Sequence, residues 1–270
     1  MSLIQIQSLS LSYGNPARSV LRNIDLSIEP GEFICVVGQT GCGKSTLLRL
    51  ILGSEKPTSG RVLIDGVEHH RPDRTRGYVP QKYALFPDRT VLDNITFGPE
   101  LTEFGLLGRL RPAYYERRSV LRAKALTYLN RIGLSQADAG KYPDELSGGM
   151  QQRVAIAQAL MNEPGILLMD EAFSALDPGT RREMQSLIRT LWLETRSTIL
   201  FVTHNMQEAL SLATRIIVLA KDGPETGSRV ALDLDRPDPC GEDDMPQLIR
   251  DLERHVDQSL SANQVLTARS

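Results

Sequence analysis

The sequence predicts an α/β fold: a core built on a parallel sheet, an antiparallel β subdomain ahead of it, and a helical subdomain inserted within it. Three observations carry this prediction. Apolar residues alternate with polar ones through Ile4, Ile6, Leu9 and Leu11, and again through Ile24, Leu26 and Ile28, the period of half-buried antiparallel strands. Three later runs, Ile166–Met169, Thr198–Val202 and Arg215–Leu219, are apolar almost throughout, which fits parallel strands covered on both faces. Between these sets the chain turns helical over about 82–160. There Val120, Leu121, Ala125, Leu129 and Ile132 fall near helical spacing, with Arg117, Arg118, Arg122 and Arg131 among them.

The first strands end at Pro30-Gly31, which punctuates before a core strand from Phe33 to Val37. That strand runs into Gly38-Gln39-Thr40-Gly41-Cys42-Gly43-Lys44-Ser45-Thr46, where Gly38, Gly43, Lys44 and Ser45 stand at the spacing of a phosphate-binding loop. Glycine lets the backbone curl so that successive N–H groups point inward, and the following helix adds partial positive charge at its N-terminus. Lys44 is expected to reach the β- and γ-phosphates and the Ser45 hydroxyl to ligate Mg²⁺, with Gln39, Thr40, Gly41, Cys42 and Thr46 completing the cradle. The bland alternative is a chance glycine turn; the apolar strand before it and the helical run after it argue against that. The expected core is therefore that of a P-loop NTPase, which binds a nucleoside triphosphate.

Further along, Pro57-Thr58-Ser59-Gly60 turns the chain into a strand from Arg61 to Gly66, and Gly77–Gln81 is a short strand broken at Pro80. Helices are predicted from Val154 to Leu160 and from about Thr180 to Glu194. From Lys221 onward the chain reads as polar and turn-rich, acidic at Glu242-Asp243-Asp244. Met245, Leu248, Ile249, Leu252, Val256 and Leu260 then fall at helical spacing behind Pro246. The expected organisation is a nucleotide-binding domain over residues 1–220, with its helical insert at about 82–160, and a tail over 221–270. The tail helix packs on its own subunit or binds a partner.

Composition narrows the class. At 270 residues, 41% hydrophobic and 24% charged, the chain has the make-up of a soluble globular protein with ample core. A net charge of −2 gives no global footprint for nucleic acid. The three cysteines, Cys35, Cys42 and Cys240, form no disulfide framework or metal-ligand cluster, and a reducing cytoplasm suits them. No signal peptide is expected at Met1–Gln5, and no apolar run approaches the roughly 20 residues needed to span a bilayer.

Strand ends carry the remaining chemistry, because ligands in open α/β sheets collect at the carboxyl ends of strands. Met169-Asp170-Glu171 closes one of them: Asp170 is placed to hold Mg²⁺ through water, and Glu171 to polarise an attacking water as general base. Alone, the pair reads equally as carboxylates at a solvated strand end. His204 ends the next strand. A lone histidine there is more often structural, but beside a phosphate loop and an acid pair it becomes a γ-phosphate contact.

The decisive segment is Leu146-Ser147-Gly148-Gly149-Met150-Gln151-Gln152-Arg153. Ser-Gly-Gly ahead of a helix offers backbone N–H groups and a hydroxyl at a helix N-terminus, a second anion site; by itself it would be a capping turn. With the phosphate loop, the acid pair and His204 in this order, the chain resembles the ATP-binding cassette (ABC) family over about residues 4–220, as the nucleotide-binding subunit of a transporter. The resemblance implies ATP and Mg²⁺ as ligands. It assigns Tyr13 to stacking on adenine, a contact typically worth ~1–3 kcal/mol, although a strand-edge core aromatic is the other reading. Gln81 matches the glutamine that contacts Mg²⁺ and water and links the core to the helical insert. Ser174-Ala175-Leu176-Asp177 matches the D-loop that meets the other subunit, and His204 the switch histidine.

The implied mechanism needs two subunits. They pair head to tail around two ATP molecules, each held between the phosphate loop of one subunit and Ser147, Gly148 and Gly149 of the other. ATP closes the dimer and hydrolysis at Glu171 releases it, a ligand-driven population shift. The helical insert would receive a short helix of a separate membrane permease, with Tyr83, Leu85, Phe86 and Pro87 lining the groove or serving as the insert's own core. An extracytoplasmic solute-binding protein is an indirect partner, nucleic acid is not expected, and the location is peripheral on the cytoplasmic face of the plasma membrane. Asp170–Pro178 with Met184-Gln185 resembles glycine-betaine-type importers, whereas the Gln81–Gly98 and Thr203–Ala209 segments resemble nitrate, sulfonate, taurine or urea importers. Ala172 departs from the proline more usual after the catalytic glutamate, without touching the chemistry, and Glu100–Tyr115 is a few residues longer than usual. Two soluble classes compete. Cassettes acting on DNA or ribosomes carry a long coiled coil or a second cassette, and simple P-loop kinases or GTPases lack Leu146–Arg153. Exporters commonly fuse the permease to the cassette.

Overall fold

The computed structural model describes residues 3–105, 112–221, 226–235 and 249–250. The chain divides into two compact units, one formed by Met1–Asp73, Leu168–Glu171 and Leu191–Ser270, the other by Arg74–Leu167 and Ala172–Thr190.

The first unit opens with β1 (Ile4–Tyr13) antiparallel to β2 (Arg18–Ile28), Ile4 opposite Ile28 and Leu11 opposite Leu21. The predicted alternation sets the faces: Ile4, Ile6, Leu9, Leu11, Ile24, Leu26 and Ile28 are all buried. On its other side β1 pairs with β4 (Ser59–Ile64), which turns into β5 (Val67–Glu68). The apolar strands form the parallel part. Strand β3 (Phe33–Val37) lies between β8 (Thr198–Thr203) and β9 (Arg215–Lys221), with Val37 opposite Thr203 on one side and Val218 on the other. Every residue of β3 and β8 is buried, which is why these runs show no polar alternation. Helix α1 (Lys44–Leu52) follows the phosphate loop and buries Leu47, Leu48, Leu50 and Ile51.

One strand was not expected. β10 (Ser228–Asp235) runs antiparallel to β9 and meets β2 in parallel at Ser228 opposite Leu21. Residues 228–235 are therefore sheet, although the sequence there reads as part of a polar tail. Arg215 fastens this pairing, donating to both carboxylate oxygens of Asp233 and to the Ser27 carbonyl, and the Asp233 hydrogen bond raises its pKa. The predicted tail helix lies outside the described residues except for Ile249 and Arg250.

The second unit begins at β6 (Arg76–Val79) and contains the first residues of β7 (Ile166–Asp170), whose last three belong to the first unit. Between them lie α2 (Val91–Phe104), α3 (Pro112–Arg131) and α4 (Gly148–Leu160). On α3 Leu121, Ala125 and Leu129 are buried on one stripe, which Ile132 continues just past the helix end. Val120, counted with them from the sequence, is 51% exposed; it sits one residue off the stripe, about 100° round the helix. Arg118 joins α3 to α2 through Asp93 and Glu100. Asn94, fully buried on α2, bonds Phe86 N–H and the carbonyls of Phe86, Arg89 and Thr90, fixing the helix-free segment ahead of α2. Helix α5 (Pro178–Thr195) leaves this unit at Thr190.

Candidate active site

In the first unit the phosphate loop leaves β3 at Gly38, where no side chain fits: a Cβ there would lie 2.4 Å from the Leu219 carbonyl oxygen. Gly43 closes the loop with φ of 94°, a left-handed conformation that glycine adopts without strain. Helix α1 then starts with no side-chain cap and no acid in its first turn, so its N-terminal N–H groups and positive dipole end are a ready anion site. Cys42 is buried inside the loop, and burial pushes its thiol pKa up, so it is a packing residue there.

Lys44 is 4% exposed. Its ammonium donates to the Gly38 and Gln39 carbonyls at 2.8 and 3.0 Å and lies 4.0 Å from Glu171 Oε1. An ammonium this buried needs such partners, and all of them lie around the loop mouth. Ser45 Oγ donates to Asp170 Oδ1 at 2.8 Å. A hydroxyl and a carboxylate oxygen side by side are hard oxygen donors of the kind Mg²⁺ takes together with substrate phosphates. The residues thus fit the ion, and they do so without a dedicated protein cage: among the described residues no group of three or more His, Cys, Asp or Glu could hold a metal.

Glu171 has φ of 46°, costing roughly 1–3 kcal/mol for a residue with a side chain. Its N–H donates to the Val202 carbonyl at 2.9 Å, which holds the turn in place. The carboxylate, 17% exposed, is bracketed by Lys44 and by His204, whose Nδ1 stands 3.4 Å from Oε2. The structure therefore brings together Lys44, Ser45, Asp170, Glu171 and His204 in one unit, with the strained glutamate at its centre. Tyr13, 41% exposed at the end of β1, shares hydrogen bonds with Glu55 and with Thr46 of α1. Burial, then the Glu55 carboxylate, raises its pKa.

The other candidates belong to the second unit. Ser147 caps α4, accepting the Met150 N–H at 3.3 Å, and is exposed. Gly148 and Gly149 are closely approached: a Cβ would lie 2.7 Å from the Tyr83 hydroxyl and 2.6 Å from Thr180 Cγ2, respectively, so a side chain at either would push that neighbour aside. Tyr83, expected to line the docking groove or to serve as the insert's own core, has its hydroxyl beside Gly148. Gln81 is exposed. Asp177 is held by the Thr180 side chain and by the N–H groups of Thr180 and Gly179 at the start of α5, and these hydrogen bonds, the Thr180 side chain's first, lower its pKa. Sequence reasoning missed Arg181, whose guanidinium donates to the carbonyls of Phe173, Ser174 and Leu176 and so braces the D-loop from within. A single arginine on a helix carries no signal for such a role.

Residues 21–174 match the family model described as ABC transporter. An uncharacterised ABC transporter ATP-binding protein of Methanocaldococcus jannaschii is 43% identical over 224 residues, 83% of this chain and 79% of that one. The nitrate import ATP-binding protein NrtD of Synechococcus elongatus is 41% identical over 218 residues, 80% of this chain and 76% of that protein. The taurine import ATP-binding protein TauB of Jannaschia sp. is 41% identical over 223 residues, 82% and 78% of the two chains. Among solved structures, a dimeric post-hydrolysis state of the ATP-binding cassette MJ0796 bound to ADP and Pi superposes with a TM-score of 0.71 at 33% identity, covering 86% of this chain and 98% of that one. The match and the geometry agree: the chain belongs to the ABC transporter family, as one of its ATP-hydrolysing cassettes.

Proposed function

We propose that this protein is the ATPase subunit of an importer, pairing with a second nucleotide-binding subunit around two ATP molecules to drive a separate membrane permease. The observation that carries the reading is the cluster of Lys44, Ser45, Asp170, Glu171 and His204 in the first unit. Lys44 exchanges its loop carbonyls for the β- and γ-phosphates, and the α1 N-terminus and loop N–H groups take the remaining phosphate oxygens. Ser45 and Asp170 would hold Mg²⁺, which when bound neutralises charge on the phosphates. Glu171 orients a water and accepts its proton, while His204 faces the γ-phosphate. Tyr13 stacks on adenine. Ser147, Gly148 and Gly149 meet the ATP of the opposite subunit, and Asp177 meets that subunit itself.

The permease docks on the second unit. Leu85 and Phe86 are half-buried, and Phe86 packs edge-on to Phe97 with Arg89 over both rings, which favours insert core over groove lining. A polar cavity of about 420 Å³ beside them, lined by Asp88, Arg89, Asp93, Tyr114 and Arg118 among others, offers that permease a polar surface on the same unit. Among the described residues no helix is long and apolar enough to cross a membrane, consistent with a peripheral subunit on the cytoplasmic face. The relatives named for nitrate, taurine and aliphatic sulfonate import favour a small anionic solute, chosen by the permease and an extracytoplasmic binding protein.

Affinity isolation of the chain from detergent-solubilised membranes tests this reading. A multi-pass membrane protein in stable complex is the expected result. Recovery of soluble partners or ribosomes alone would remove the transporter assignment and leave the ATP chemistry standing.

A further inference from the structure

We propose that Glu208, acting through the Thr203 hydroxyl, is a positioning residue for His204; this rests on reading His204 as the γ-phosphate contact. The imidazole cannot be held by packing, because the side chain is 56% exposed. What is fixed is the backbone on either side of it. Thr203, the last residue of β8, is 2% exposed and lies opposite Val37, the residue immediately before the phosphate loop. Its hydroxyl donates to Glu208 Oε2 at 2.5 Å and accepts the Asn205 N–H at 3.0 Å. One oxygen therefore clamps the residues before and after His204, and the carboxylate decides which way that oxygen's proton and lone pairs point.

Capping alone does not account for Glu208. Helix α6 (Met206–Leu212) already has its cap, since Asn205 Oδ1 accepts the N–H groups of Gln207 and Glu208. Glu208 stands at the position from which a reciprocal cap would reach the Asn205 N–H directly. Here that N–H goes to Thr203 Oγ1, so the hydroxyl is inserted between carboxylate and cap. The Glu208 side chain is also buried, 4% exposed. Burying a carboxylate is costly without hydrogen-bond donors, and a charge-assisted bond to a hydroxyl is short and strong. A rigid Thr203–Asn205 turn keeps Nδ1 of His204 beside Glu171 while the ring stays open to incoming nucleotide.

The test measures steady-state ATP hydrolysis and equilibrium ATP binding on the full chain. Thr203→Val and Glu208→Ala are each expected to lower kcat about tenfold or more with KM and ATP affinity within about twofold, as misplacement of a reacting group does. Thr203→Ser, which keeps the hydroxyl, should restore kcat to within about threefold. In a His204→Ala background, Thr203→Val should cost less than about twofold further, because the clamp then has nothing to position. Wild-type kcat in Thr203→Val, no rescue by serine, or losses that multiply in the double variant would each overturn the proposal. The reading of His204 itself is checked separately: a His204→Ala variant hydrolysing like wild type removes that reading, whatever Thr203 does.

Discussion

The two units hold their candidate residues in opposite ways. In the first, buried Lys44 and Asp170 and half-buried Ser45 and Glu171 satisfy one another, with exposed His204 at the edge: Lys44 on loop carbonyls and near Glu171, Ser45 on Asp170, Glu171 between Lys44 and His204. In the second, Ser147, Gln81 and Asp177 are exposed, and the contacts around them set backbone shape. We read the first as a nucleotide site in its own right and the second as a surface that completes the site of another subunit, as the proposed pairing of two subunits requires.

The largest effect should come from Glu171→Gln. It removes the proton acceptor but leaves the phosphate loop untouched, so hydrolysis should fall at least about 100-fold with ATP binding retained in a direct assay. Near-normal turnover would dismiss Glu171 as the base. Next, Lys44→Ala removes a charge-assisted contact to phosphate; nucleotide affinity should drop roughly 10- to 100-fold, and unchanged affinity by calorimetry would contradict its role. The comparison predicts a different outcome on the other unit. Gly149→Ala pushes a methyl against Thr180 and shifts the start of α4, so hydrolysis should fall about tenfold through lost alignment while single-subunit ATP affinity stays constant. A parallel loss of affinity would break the distinction between the units.

The smallest effect concerns a structural carboxylate. Lys141, with the Ser135 hydroxyl and N–H, holds the Asp138 carboxyl down to about 2. A depressed folded-state value stabilises above the unfolded pKa and is lost as pH falls through the folded one. Asp138→Asn should therefore lower the Tm near neutrality, and its difference from wild type should narrow on acidification below about pH 4. A difference that does not change with pH would mean the carboxylate charge is not responsible.

Much of the first unit was legible because its constraints are local. Gly38 and Gly43 answer to backbone geometry, and β3 and β8 to burial on both faces, so residue type and spacing suffice. Strand β10 was not, because Val230, Leu232 and Leu234 are only partly buried and owe their order to β9 and β2 rather than to their own apolarity. Nor was the bracing by Arg181, or the clamp of Thr203 by Glu208. Those depend on which carbonyl or hydroxyl a long side chain meets after folding. The motif residues could be named from the sequence; the partners that hold them could not.

The most direct test is the mass of the Glu171→Gln protein by size-exclusion chromatography with light scattering, with Mg²⁺ and either ATP or ADP. The account predicts twice the chain mass with ATP and the single-chain mass with ADP. A protein that binds ATP yet keeps the same mass with either nucleotide would contradict it.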